Sequence, residues 1–233
     1  MTTATPSTRS SARLPVVLLA LVIGSFVTVL AACGARGTSG SGPTRSEART
    51  VDAFTRVDVG NGIGVTVHVG GAQSVEVSAQ ENILPLIETT VEAGVLRIHS
   101  TESFTTSAEI TVATSVSALD GISVSGGSQA QIDGLHSDSL DIALSGGARL
   151  SAEGRVAEVT LDASGGARAD LVTLTVKVMS VTLSEGAMVS LSVKDQLTGS
   201  ASGGAVATVA GGAALDVQTS GGASVTSGGR DSA

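Results

Sequence analysis

The chain has 233 residues, 42% of them hydrophobic, and a formal net charge of −8 at pH 7. This length suits one ordinary domain plus a targeting segment. Residues 1–32 contain two Arg and no acid, so the remainder carries 13 − 2 = 11 basic and 21 acidic residues, a balance of 11 − 21 = −10. Acidity and the absence of Tyr and Trp argue against nucleic-acid binding, which requires a basic surface and, for single strands, aromatic stacking platforms.

The first predicted element is an export signal over residues 1–32. Arg9 and Arg13 precede an uncharged apolar run from Leu14 to Leu30. This run is shorter than the roughly 20 residues of a membrane-spanning helix. A short apolar core after positive charge is typical of a secretory signal peptide. A retained membrane anchor is the competing interpretation.

The sole cysteine of the chain lies at the end of this run. The segment from Leu30 to Gly34, with sequence Leu-Ala-Ala-Cys-Gly, resembles the lipobox of bacterial lipoproteins, in which the cysteine is acylated and the chain is cut before it. The resemblance implies palmitate or a similar lipid on Cys33, and export to the outer face of the cell membrane, or to the outer membrane if the source has one. Several acyl chains hold a protein at a membrane more firmly than one. Residues 33–50, rich in Gly, Ser, Thr and Arg, predict a flexible tether.

The body of the chain is built on a repeat marked by Ser-Gly-Gly. Residues one, three and five positions before each mark are apolar and the intervening ones are mostly polar, a period-2 pattern that predicts a strand with one buried face. A small residue follows three positions after the serine, and apolar residues follow at five and seven. The marks begin at Ser125, Ser145, Ser164, Ser184 (as Ser-Glu-Gly), Ser202 and Ser220.

This pattern predicts an all-β fold, a parallel β-solenoid with rungs of about 18–20 residues, over residues 51–229, followed by a tail at 230–233. One rung cannot bury its own apolar face, but stacked rungs enclose a continuous core. A right-handed coil is expected, because parallel crossovers almost always take that hand. Gly60-Asn61-Gly62 predicts a degenerate first rung. We expect a helical turn or irregular excursion over 82–92 and a hairpin or protruding loop near 102–108.

Several segments resemble the bacterial head-GIN, or putative auto-transporter adhesin, domain family. They are Phe54 to Val59, Glu81 to Ile87, Val91 to Ile98, and the recurring Ser-Gly-Gly-Ala, which stands where family members often have Ser-Gly-Ala-Gly. The resemblance extends roughly from Val51 to Gly229. It implies an adhesin-like protein of the envelope surface, and it implies no catalytic residue.

The sequence predicts no metal site, no cofactor and no enzymatic activity. His68, His99 and His136 lack the spacing of zinc ligands. The chain has neither the Gly-x-Ser-x-Gly elbow nor the phosphate-cradling Gly-x-x-x-x-Gly-Lys loop, so the glycines are attributed to the bends between strands. Asp141, Asp162 and Asp170 are the outward aspartates that a polysaccharide-active solenoid could use. Asp141 and Asp162 are predicted in different outward columns, and the chain has no Tyr or Trp to stack on a sugar, which favours surface charge over a catalytic role for all three.

Arg149 and Arg168 are predicted to share an outward column one rung apart, with Asp170 close by. These three residues are the candidate partner-contact face, and a plain surface ladder is the alternative. The leading hypothesis is a non-enzymatic, lipid-anchored surface module that binds an envelope or extracellular protein or polysaccharide. A passive structural spacer and a polysaccharide-active β-helix enzyme are the other hypotheses.

Overall fold

A computed structural model gives the structure of the chain, and it describes Met1 and residues 37–228. The chain divides into two units, Met1–Ala35 and Arg36–Ala233, and the description below concerns the second. The predicted signal peptide over 1–32, the lipidation of Cys33 and the tail at 230–233 lie outside the described residues and stay predictions. No helix among those described has the length and apolar character needed to cross a bilayer.

The described part of the second unit is a parallel β-solenoid of about five turns, which confirms the predicted fold class. Its regular elements are strands, apart from one 3-10 turn at Leu84–Leu86. The strands are β1 Thr38–Ser39, β2 Thr44–Ala48, β3 Arg56–Val59, β4 Gly64–Val69, β5 Ser74–Gln80, β6 Ile87–Glu92, β7 Val95–Ser100, β8 Phe104–Thr105, β9 Thr111–Val116, β10 Gly121–Val124, β11 Gln129–Leu144, β12 Arg149–Ala163, β13 Arg168–Leu183, β14 Met188–Ala201, β15 Val206–Ala210, β16 Ala214–Thr219 and β17 Ser224–Ser227.

Each rung has three sides. The first side precedes the Ser-Gly-Gly corner and consists of β3, β10, the carboxyl-terminal parts of β11 to β14, and β16. The second side follows the corner and consists of β4, the amino-terminal parts of β11 to β14, β15 and β17. The third side is the middle of β11 to β14, where bulges shift the register. Neighbouring rungs pair in parallel on every side.

The core consists of the apolar columns that the repeat predicts. On the first side, Leu140, Val159, Met179 and Leu197 are paired in register and are at most 2% exposed. The corner column of small residues is fully buried at Ser128, Ala148, Ala167, Ala187 and Ala205. The Gly62 backbone N–H donates a hydrogen bond to Ser128 Oγ at 3.1 Å, which satisfies the one hydroxyl in this column. Small side chains are needed here because the chain turns sharply inside the coil.

The Ser-Gly-Gly corners use left-handed backbone conformations. The first glycine of the mark has φ of +60° at Gly126, +64° at Gly146 and +66° at Gly165. Glycine adopts this region without the steric cost that a Cβ brings. Glu185 occupies the same position in the variant mark and has φ of +54°.

The amino-terminal end is covered by additional strands. Gly60-Asn61-Gly62 joins β3 to β4, which confirms the degenerate first rung, and β7 and β9 pair with these two strands in parallel. Beyond them, β6 pairs antiparallel with β7 and β5 pairs antiparallel with β9, so these two strands cover the end of the coil. Within the excursion expected at 82–92, the helical turn is confirmed at Leu84–Leu86, whereas Ile87–Glu92 is a strand. Near 102–108, β8 pairs in parallel with β1, so this segment is not a hairpin.

The expected tether over 33–50 differs from the structure from Thr38 onward, because β1 pairs with β8. β2 pairs antiparallel with β5, so Thr44–Ala48 is the outermost strand of the amino-terminal cap. Arg45 Nε lies 3.1 Å from Glu81 Oε1, and the side chain of Asn82 hydrogen-bonds the backbone of Ser39 and Ser41. Because the strand is exposed along its length and held by backbone pairing, no apolar pattern marks it in the sequence.

The carboxyl-terminal end has no such cover within residues 37–228. β16 pairs only with β14, and β17 only with β15. Leu215 is 40% exposed, although Leu197, its neighbour in the same column, is 0% exposed. In the last rung, a leucine at a position that faces the core in the preceding rung is therefore exposed to solvent.

Candidate functional site

The second side carries a shallow trough of about 650 Å³ that runs across the rungs. Outward residues of successive strands line it, because every second side chain of a strand points away from the core. One column contains Gln129, Arg149, Arg168, Met188 and Val206, and the next contains Thr66, Gln131, Ser151, Asp170, Ser190 and Thr208. Met188 is 40% and Val206 42% exposed, so the trough combines cations, hydroxyls, amides and apolar surface with the carboxylates of Glu109 and Asp170.

The structure places Arg149 and Arg168 directly beside each other on β12 and β13, as their predicted column requires. Asp170 lies two residues further along β13, opposite Ser151. Its Oδ1 accepts a hydrogen bond from the Val172 backbone N–H at 3.4 Å, and it forms no ion pair with either arginine. The two guanidinium groups have no carboxylate partner in the part of the chain that the structure describes, so both are available to a partner.

The aspartates considered as catalytic candidates do not come together. Asp141 and Asp162 lie on the first side in different columns, as predicted, whereas Asp170 lies on the second side. Asp141 Oδ2 is 2.6 Å from Arg56 Nη2, so a structural ion pair engages that carboxylate. The geometry gathers no carboxylate pair from these three residues.

The three histidines lie on three different strands, His68 on β4, His99 on β7 and His136 on β11. His99 Nε2 is 3.5 Å from Glu88 Oε2 across the β6–β7 pair. Among the described residues, no group of three or more His, Cys, Asp or Glu side chains is arranged to hold a metal ion.

The third side carries a basic cluster of His136, Arg155, Lys177 and Lys194. All four side chains are exposed and line a depression of about 640 Å³. His136 and Arg155 are register partners on β11 and β12, while Lys177 and Lys194 come from β13 and β14. Asp138 is the one acidic residue that lines the same depression.

Sequence reasoning missed this basic cluster. The Ser-Gly-Gly mark fixes the phase of the strands on either side of the corner, but bulges on the third side add residues and break the period-2 alternation. One signal was present, because His136 and Arg155 are one repeat length apart. The other members fall at unequal spacings.

Comparison with known proteins gives a family and a fold. The sequence profile of DUF2807, described as the putative auto-transporter adhesin, head GIN domain, matches residues 53–230. No curated protein matches the chain.

Several solved structures are similar to this chain. A putative adhesin from Bacteroides fragilis NCTC 9343 is 14% identical, with a TM-score of 0.68 over 82% of this chain and 100% of that one. A putative adhesin from Parabacteroides merdae ATCC 43184 is 13% identical, with a TM-score of 0.51 over 83% and 99%. A putative lipid binding protein from Parabacteroides distasonis ATCC 8503 is 12% identical, with a TM-score of 0.50 over 82% and 99%. At these identities the likeness concerns the fold alone.

Proposed function

Because this chain belongs to the head-GIN family of putative auto-transporter adhesins, we propose that it is a non-enzymatic binding module of the cell envelope. A lipid on Cys33 holds it at the outer face of the cell membrane, or at the outer membrane if the source has one. Its second side presents the trough to an envelope or extracellular protein or polysaccharide.

The trough is the observation that supports this function most directly. Arg149 and Arg168 stand side by side without a counter-ion among the described residues, and hydroxyl and amide side chains continue the surface across neighbouring rungs. Arginine forks pair with carboxylate or phosphate groups through two parallel hydrogen bonds. Exposed Met188 and Val206 add apolar contact area at one end. An extended partner could therefore meet cationic, polar and apolar surface along one line.

The trough is tested by the combined substitution Arg149→Gln, Arg168→Gln and Asp170→Asn in cells that display the protein. We expect adhesion of these cells, or retention of the protein's envelope partner, to be lost while the circular dichroism spectrum stays that of a β-protein. The control changes exposed first-side residues, as Asp162→Asn with Thr182→Ala, and leaves adhesion intact. Unchanged behaviour of the trough variant would indicate a passive spacer. Glycan turnover that Asp170→Asn alone abolishes would identify an enzyme.

The anchor is tested separately by Cys33→Ala. Since Cys33 is the only thiol of the chain, this substitution removes every site for thioether-linked lipid. We expect the protein to lose label from a palmitate analogue and to keep its amino-terminal segment uncut, because cleavage follows acylation. A parent chain that carries no label, or a Cys33→Ala variant that is labelled and cut as the parent chain is, would contradict the lipoprotein interpretation.

A further inference from the structure

We propose that the third-side basic cluster is an anion-binding site for an extended polymer that carries carboxylate or phosphate groups along its length. The site is distinct from the second-side trough, and it does not depend on the trough having a partner. His136, Arg155, Lys177 and Lys194 form it, one residue from each of four neighbouring strands.

The first argument is the distribution of ion pairs. Within residues 37–228, the Arg side chains in ion pairs all lie between Arg45 and Arg97, and the Arg and Lys side chains without one all lie on β12 to β14. The paired ones are Arg45 with Glu81, Arg49 with Glu47, Arg56 with Asp141, and Arg97 with Asp58 and Glu92. The unpaired ones are Arg149, Arg155, Arg168, Lys177 and Lys194. This part of the chain has more acidic than basic residues, so a shortage of acidic side chains does not explain why these cations are unpaired.

The second argument is the placement of like charges on neighbouring strands. The register shifts between Val176↔Val193 and Val178↔Gln196, so β14 has one extra residue and both Lys194 and Asp195 lie opposite Lys177. Only Lys194 of these two lines the depression. Like charges on adjacent strands oppose sheet formation. Lys177 and Lys194 nevertheless lie on adjacent strands and neither forms an ion pair with a residue that the structure describes. This arrangement favours a bound ligand that supplies the negative charge.

The spacing of the cations indicates the size of the ligand. Strands of a sheet lie about 4.8 Å apart, so Arg155, Lys177 and Lys194, on β12 to β14, span about 10 Å along the coil axis, with His136 one strand further. One phosphate or carboxylate group is much shorter than this distance. Repeated anionic groups on an extended chain match it, with Arg155 offering a fork for one group and the lysines offering point charges for others.

The shape of the site favours a polymer over a membrane surface. The four side chains line a depression of about 640 Å³, whereas a flat bilayer is met best by protruding basic or apolar residues. Asp138, in the same depression, would repel a continuous layer of anionic lipid but leaves room for a single chain beside it.

The test measures binding of the purified full chain to polygalacturonate and to poly(glycerol phosphate), with dextran as the uncharged polymer. We expect binding to at least one anionic polymer and none to dextran. The variant Arg155→Gln, Lys177→Gln, Lys194→Gln should bind about tenfold more weakly or worse, because it removes three charge-assisted contacts. Arg155→Lys, Lys177→Arg, Lys194→Arg keeps the charge and should keep the binding. The carboxylate and phosphate polymers distinguish the two sources of negative charge.

Two controls separate this site from general electrostatics and from the trough. Arg45→Gln with Arg97→Gln removes two ion-paired cations, and Arg149→Gln with Arg168→Gln removes the two cations of the trough. The first is expected to bind the polymer as the parent chain does, and the second to keep the part of the binding that depends on Arg155, Lys177 and Lys194. An equal loss in all variants, loss only in the trough variant, or binding only to phosphatidylglycerol vesicles would overturn the inference. Loss in the trough variant alone would leave the proposed function standing.

Discussion

At the scale of single residues, Gly154 is fixed by its neighbour on the preceding rung. Its φ is +131°, and a Cβ built there would collide with the backbone oxygen of Leu135. Gly154→Ala should therefore lower the free energy of unfolding by about 2–4 kcal/mol, because it adds backbone strain and a steric clash. Gly166→Ala is the matched control, since its φ is not left-handed and its Cβ would lie 3.7 Å from the nearest atom, Gly146 O. Denaturant titration of both variants checks this difference, and equal losses would contradict it.

Glu185 is the opposite case, because it occupies a corner position whose backbone conformation favours glycine. Its φ of +54° lies in the left-handed region, which costs an ordinary residue about 1–2 kcal/mol. Glycine avoids that cost but loses about 0.5–1 kcal/mol of chain entropy on folding. Glu185→Gly should therefore stabilise the protein by about 0.5–1 kcal/mol and raise the thermal midpoint. Glu185→Ala retains the backbone strain and is expected to leave stability unchanged, so an equal gain in both would attribute the effect to the glutamate side chain.

At the scale of elements, the first and second sides were predictable and the third was not. A glycine corner fixes which residues point inward, so the mark at Ser164 assigns Leu161 before it and Leu171 beyond it to the core. The neighbouring marks at Ser184 and Ser145 assign Val181 and Leu150 in the same way. After the second side, each strand bulges by a different number of residues, and alternation no longer identifies the outward face. The cluster around Arg155 was hidden for this reason. β2 was hidden because its pairing with β5 uses backbone groups that any sequence supplies.

Stacking of elements predicts that the same substitution has different costs in adjacent rungs. Leu197 and Leu215 are register partners in one column, but they are 0% and 40% exposed because β16 has nothing beyond it within residues 37–228. Leu197→Ala should lower the free energy of unfolding by about 2–5 kcal/mol, the usual cost of a buried cavity. Leu215→Ala should cost less than about 1 kcal/mol, since the Leu215 side chain buries less apolar surface than that of Leu197 and its removal leaves no enclosed cavity. Similar costs for the two would indicate that another surface covers the last rung in solution.

At the scale of the whole molecule, the two ends of the coil differ. The first rung, β3 and β4, is covered by β7 and β9 and then by the antiparallel strands β6 and β5. The described part of the last rung, β16 and β17, is paired on one side only. In repeat proteins each unit is stabilised by its immediate neighbours. Local stability should therefore be high from the amino-terminal cap through the centre and decrease toward the carboxyl-terminal end.

Amide hydrogen exchange measures this gradient in the unmodified protein. Opening of a local segment requires less free energy where fewer neighbours hold it, so amides of β16 and β17 should exchange about a hundredfold faster than those of β12 and β13. The first rung is the internal control, because it is also near an end of the coil but has strands on both sides. Its amides should be protected nearly as well as the central ones. Equal protection of all rungs would show that the coil opens only as a whole, and fast exchange at β3 and β4 would show that the antiparallel strands do not act as a cap.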